Sequence, residues 1–111
     1  MKKLNNQEVF DKVVTALRAQ GCQSLDANGN RMYRGLNNAK CAAGHILPDH
    51  LYIKGMEQYI VYDSPVFDSI VEKVSFLRSL QRIHDVEEVS AWEDSWEELA
   101  LDNGLIYTPK S

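Results

Sequence analysis

The sequence predicts a single α+β domain: an N-terminal helix and two later helices packed on a small antiparallel hairpin or three-stranded sheet. Three observations carry that expectation. Apolar residues recur at helical spacing in three places, after Asn5, after Pro65 and after Ser90. Between the first two, the turn Asp26-Ala27-Asn28-Gly29-Asn30 separates short segments at 22–25 and 31–34, as in a hairpin. At 111 residues, with 44% hydrophobic and 25% charged residues, the chain has the size and composition of one globular domain over residues 1–111.

The first helix is the most strongly marked. Asn5 can cap it, Glu8 three residues on completes a capping box, and Leu4 and Val9 occupy the positions of a hydrophobic staple. Phe10, Val13, Val14 and Leu17 form its inner face, and Gly21 is the expected left-handed terminator. After the hairpin, a second turn at Gly35-Leu36-Asn37-Asn38 either returns Ala39-Lys40-Cys41 as a third strand or delivers the chain to a helix near Cys41. Pro48 ends any helix through residues 42–47. Asp63-Ser64-Pro65 reads as the entry to a helix striped with Phe67, Ile70, Val71, Val74 and Leu77 and extended by Leu80 and Ile83. The last helix starts at a capping box, Ser90-Ala91-Trp92-Glu93, carries Trp92, Trp96 and Leu99, and stops at Asn103-Gly104. The expected core is Phe10, Val13, Val14, Leu17, Phe67, Ile70, Val74, Leu77, Trp96 and Leu99.

The longest apolar runs fall far short of the ~20 residues that cross a bilayer, so no membrane association is expected. The opening Met1-Lys2-Lys3-Leu4-Asn5-Asn6 has no apolar run behind its lysines, which points away from a secretory signal and toward the cytoplasm. In a reducing compartment Cys22 and Cys41 are expected as thiols. Charge is polarised: residues 1–50 carry seven Lys/Arg against four Asp/Glu, a net +3, and residues 51–111 carry five against twelve, a net −7.

Three spaced motifs stand out: Tyr33-Arg34-Gly35; Lys40-Cys41-Ala42-Ala43-Gly44 with Pro48-Asp49; and Leu80-Gln81-Arg82-Ile83-His84-Asp85 with a later Trp92. Together they resemble a pattern found in a family of small uncharacterised proteins of bacteria, their phages and mobile elements. The resemblance implies context only, that of small proteins acting by binding a host or phage macromolecule, and it brings no cofactor or catalytic residue with it.

Four groups of residues could carry chemistry. Cys41, beside Lys40 near a helix start, would be a nucleophile if His84 or His45 served as base and Asp85 or Asp49 as orienter. The plainer reading is a small buried hydrophobe. Cys22, Cys41, His45 and His50 could form a Cys₂His₂ metal site, although their spacing departs from compact zinc signatures and no cofactor is expected. Arg31, Arg34 and Lys40 with Met32 and Tyr33 offer basic and aromatic groups for nucleic acid, a less favoured partner because the side chains divide between two strand faces and the pI is 5.3. Between Arg82 and Lys110 stand eight acids and no Lys or Arg; on the last helix Glu93 and Glu97, and Asp94 and Glu98, are like-charged i, i+4 pairs. A helix whose charges oppose its own stability suits a basic partner.

The expectation is therefore a non-enzymatic interaction protein of phage or mobile-element type. Its partner is a protein with a basic surface, bound through Glu93, Asp94, Glu97, Glu98 and Asp102. The alternative is a thiol-dependent enzyme or metal site centred on Cys41. Oligomeric state is not readable from the sequence.

Overall fold

The structure, a computed structural model, describes residues 2–51 and 65–110. Among the described residues there are four α-helices, α1 (Asn6–Gln20), α2 (Ala42–Ile46), α3 (Val74–Val86) and α4 (Trp92–Asp102), and short 3₁₀ turns at Leu36–Asn38, Asp49–Leu51, Pro65–Ser69 and Val89–Ala91. α1 begins as the sequence dictates. Asn5 Oδ1 accepts from Glu8 N at 2.9 Å, and Glu8 Oε1 accepts from Asn5 N at 3.0 Å, the reciprocal capping box. Gly21, at φ 68°, closes the helix by donating to the Leu17 carbonyl. Val9, Phe10, Val13, Val14 and Leu17 are buried on one face. That face packs on α2 and α3, and α3 packs in turn on α2 and α4.

The core holds seven of the ten residues expected in it, with Ile70, Val74 and Leu99 packed partly buried at its margin. It also holds Val71 and Leu80 of the stripe after Pro65, and residues the stripes did not mark: Tyr33, Cys41, Ala42, Ala43, Ile46, Leu47 and Phe76. Trp92 and Trp96 are 2% and 1% exposed, their rings 5.7 Å apart, so both tryptophans are core anchors.

The α+β expectation is overturned: the described residues are mostly helical and contain no strand. Pairing outside the helices amounts to isolated bridges, antiparallel at Leu25 with Arg31 and Arg34 with Lys40, and parallel at Leu4 with Val71. The predicted turn does form, with Asp26 Oδ1 accepting from Asn28 N and Asn30 N. No sheet grows from it because side chains take the amides that would extend the ladder. Met32 N donates to the Ser24 carbonyl, but Ser24 N donates to His84 Nε2 at 3.0 Å, and Lys40 N donates to Gln20 Oε1 at 2.8 Å. At Cys41 the chain turns straight into α2.

Two helix boundaries also differ from expectation. Asp63 and Ser64 lie outside the described residues, and the stripe from Phe67 to Leu77 is not one helix. Leu4 N donates to the Ile70 carbonyl and Glu72 N to the Leu4 carbonyl, which draws residues 70–72 out of helical geometry, and α3 starts at Val74. The capping box at Ser90 does not form. Glu93, its acid, is held instead by Arg18 of α1, and α4 begins without a side-chain cap behind the turn Val89–Ala91.

Candidate functional site

The motif residues converge where the segment 22–47 crosses α1 and α3. Cys41 caps α2, its Sγ accepting from Gly44 N at 3.3 Å. It is 1% exposed. Burial chiefly, with help from the charge of Asp85, pushes the thiol up to about 12 against hydrogen bonds from Gly44, Gln81 and Ala43. The second amide of α2, Ala43 N, donates to Gln81 Oε1 at 3.0 Å, and Gln81 Nε2 donates to Asp85 Oδ1 at 3.0 Å.

Asp85 Oδ1 also faces His84 Nδ1 at 2.8 Å. Because Ser24 N donates to Nε2, the imidazole proton is on Nδ1 and is donated to Asp85. The ring is fully buried and stacked on Trp92 at 5.8 Å between centroids. The exposed carbonyls at the end of α3 are covered from the same segment, by Gln23 Nε2 on His84 O and Arg31 Nε on Asp85 O, both at 2.8 Å.

His45 lies on the α1 side. Gln20 Nε2 donates to the carbonyls of Cys22 and Lys40, so its Oε1 is the acceptor for both Lys40 N and His45 Nε2, the latter at 2.9 Å. His45 is thus neutral with its proton on Nε2. Burial, then the charges of Lys40, His84 and Lys12, lower its pKa to about 4.

This arrangement ties down backbone and lacks a reactive dyad. His84 and Asp85 pair as the sequence suggested, but the basic nitrogen of His84 is turned to a backbone N–H and not to the thiol, and His45 is bonded to Gln20. Neither nitrogen is aimed at Cys41 Sγ, as nucleophilic catalysis requires. The metal set does not assemble: Cys22 is exposed, Cys41 is buried, His45 points to Gln20 and His50 is exposed in the turn Asp49–Leu51. Among the described residues no three of His, Cys, Asp and Glu come together to hold a metal.

Two motif glycines explain themselves by close approach. A Cβ on Gly44 would overlap the Tyr33 carbonyl oxygen, and one on Gly35 would lie 2.6 Å from the Leu25 backbone. The nucleic-acid candidates do not form one surface: Tyr33 is buried and cannot stack on a base, Arg31 is bonded to the end of α3, and Arg34, whose Nη2 pairs with Asp49 Oδ1 at 2.7 Å, lines a separate cleft with Lys40.

The acidic helix divides. Glu93 faces inward, its carboxylate held by Arg18 through two bonds of 2.8 and 2.7 Å and by the Tyr107 hydroxyl at 2.7 Å. The Arg18 hydrogen bond chiefly keeps its pKa below the ordinary Glu value. Asp94, Glu97, Glu98 and Asp102 are exposed. Among them stands a residue the sequence reading passed over, Leu101, 79% exposed. Nine positions beyond Trp92, at about 100° per residue, it lies diametrically opposite the buried tryptophan, three and four residues after Glu98 and Glu97. That spacing was available in the sequence.

No family model, curated protein or solved structure matches the chain. Among the described residues, no helix is long and apolar enough to cross a membrane.

Proposed function

We propose that this chain is a non-enzymatic interaction protein, of phage or mobile-element type and cytoplasmic, that binds a basic protein surface through the outer face of α4. The observation that carries the reading is the exposed Leu101 ringed by Asp94, Glu97 and Glu98 and flanked by Asp102. An apolar side chain inside a ring of like charge provides an anchor for contact and a field that steers a cationic partner. Of the helix's five acids, only Glu93 is held in an ion pair among the described residues, and the i, i+4 pair Asp94 and Glu98 repels. The thiol-centred alternative lacks the contact between thiol and imidazole on which it depends.

Quantified capture from host lysate, at low and high salt, tests the reading with three proteins: wild type, Leu101→Ser, and the combined Asp94→Asn, Glu97→Gln, Glu98→Gln variant. The expected result is a basic partner retained by wild type at low salt, released at high salt, and lost from both variants with their folds intact. Retention of the same partner by the charge variant at the same salt would remove the acidic face from the account.

A further inference from the structure

Asparagine followed by glycine occurs twice in the chain, at Asn28-Gly29 and at Asn103-Gly104, and both asparagines are exposed. Such a pair is the least hindered setting for one spontaneous reaction, attack of the following backbone nitrogen on the side-chain amide, because glycine puts no side chain in the way. We propose that Asn28 is a self-modification site of the folded protein, converting to aspartate and isoaspartate, while Asn103 is protected by the end of α4.

The two sites differ in the asparagine and not in the glycine. Each glycine nitrogen carries one turn bond, Gly29 N to the Asp26 carbonyl at 3.1 Å and Gly104 N to the Leu101 carbonyl at 3.3 Å, so the two nucleophiles are similarly held. Asn103 is fixed on both sides. Its Nδ2 donates to the Leu99 carbonyl at 2.8 Å, its N donates to the Leu99 and Ala100 carbonyls, and beyond it Leu105 N donates to the Ala100 carbonyl at 2.8 Å. The Asn103 amide is thereby drawn back over the last turn of α4, away from the nitrogen that follows it. The Asn28 side chain has no hydrogen-bond partner among the described residues. Its turn stands outside any helix, and a Cβ built on Gly29 meets nothing within 4 Å, so the backbone has space to swing.

The chemistry needs only water. Gly29 N, its proton lost to a solvent base, bonds to Asn28 Cγ as the Cγ–Nδ2 bond breaks and ammonia leaves, which closes a succinimide. Water then opens the ring. Cleavage of the new Cγ–N bond gives aspartate, and cleavage between the Asn28 carbonyl carbon and Gly29 N gives isoaspartate, with the chain now running through Cγ. One water is consumed, one ammonia is released, and the net charge goes from −4 to −5. Isoaspartate adds a methylene to the chain between positions 28 and 29. The closure of the turn spans that point, with Asn30 N donating to Asp26 Oδ1 at 2.9 Å and Asp26 N to the Asn30 carbonyl at 2.8 Å. Isomerisation therefore opens the turn that leads into the bridge of Leu25 with Arg31. The site is separate from the α4 face and stands or falls without it.

The test is incubation of the full chain at mildly alkaline pH, native and in denaturant, with both asparagines read by peptide mass and isoaspartate counted by enzymatic methylation of the isomerised carboxylate. In the native protein Asn28 should convert steadily and Asn103 about tenfold more slowly, the factor that one held hydrogen bond supplies. In denaturant the two rates should converge, since the dipeptide is the same. Protein isomerised at Asn28 should lose amide protection at Asn30 while α1 keeps its own, and protection kept at Asn30 would deny that isomerisation opens the turn. Equal conversion of the two sites in the native protein, a ratio that denaturant leaves unchanged, or no conversion of Asn28 would each overturn the proposal.

Discussion

α1 and the segment 22–47 share one core but satisfy their backbones in opposite ways. α1 closes its own hydrogen bonds and caps itself within three residues at one end and four at the other. The segment borrows side chains from far along the chain: Gln20 for Lys40 N, Gln81 for Ala43 N, and His84 for Ser24 N, separations of 20, 38 and 60 residues. The first kind of structure is written locally, whereas the second exists only once α1 and α3 are in place. The residue types that look most like chemistry, Cys41, His84 and Asp85, are used in the second kind.

The comparison can be broken most severely at Gly44. Any side chain there meets the Tyr33 carbonyl, so Gly44→Ala should cost roughly 3–5 kcal/mol in urea denaturation, far more than an alanine on the outer face of α1. His84→Leu should follow at roughly 2–4 kcal/mol, because it strands the buried Ser24 N without a partner and leaves Asp85 Oδ1 only the Gln81 amide of its two side-chain hydrogen bonds. Hydrogen exchange would sharpen the contrast: protection at Ser24, Met32 and Ala43 should fall while the amides of α1 keep theirs. Equal loss in both regions would mean that the segment is not a dependent unit.

Acid probes the same stitching more gently. His45 has a folded pKa of about 4, below the ~6.5 of an unfolded histidine, so the unfolded chain binds the extra proton first. Its contribution is complete above about pH 6.5 and is lost as pH falls toward 4. Half-burial leaves this at no more than about 2 kcal/mol. The difference in stability between pH 7 and pH 5 should shrink in His45→Gln, and an unchanged difference would contradict the neutral, Gln20-bonded imidazole.

The smallest effect lies on the other side of α1. Glu93→Gln weakens the bonds from Arg18 and Tyr107 and should cost about 1 kcal/mol, the scale of a partly exposed bidentate pair. Glu93 is held below its unfolded pKa, so its contribution is present above the ordinary Glu range and lost as pH falls through the folded value. Glu97→Gln should change stability by less than about 0.5 kcal/mol, and a larger loss would deny that Glu97 is a free surface acid.

What the sequence made legible follows the same division. Asn5, Glu8 and Gly21 announce α1 because the groups that satisfy each other lie within a few residues. The Asp26 turn was legible for the same reason, but the step from turn to sheet failed. Whether Ser24 N meets Met32 or His84 depends on a residue 60 positions away. The stripe after Pro65 misled because periodicity records which residues are buried and is silent on a backbone pairing with Leu4. At the candidate sites, the pairing of His84 with Asp85 was readable from adjacency. The burial of Cys41 and the capture of Glu93 by Arg18, 75 residues away, were not. Leu101 was readable from the helical wheel of α4 once Trp92 is placed inside.

The central claim, that the motif around Cys41 builds structure and not a reactive centre, is tested most directly by alkylating the native protein at neutral pH and reading both thiols by peptide mass. Cys22, exposed, serves as the internal reference. With its pKa pushed up to about 12, Cys41 holds about a thousandfold less thiolate than an ordinary thiol, and it is buried as well. The account predicts modification of Cys22 alone, with Cys41 at least about a hundredfold slower until the fold is opened by denaturant. Cys41 reacting as fast as Cys22 in the folded protein would contradict it and return the thiol to the centre of the function.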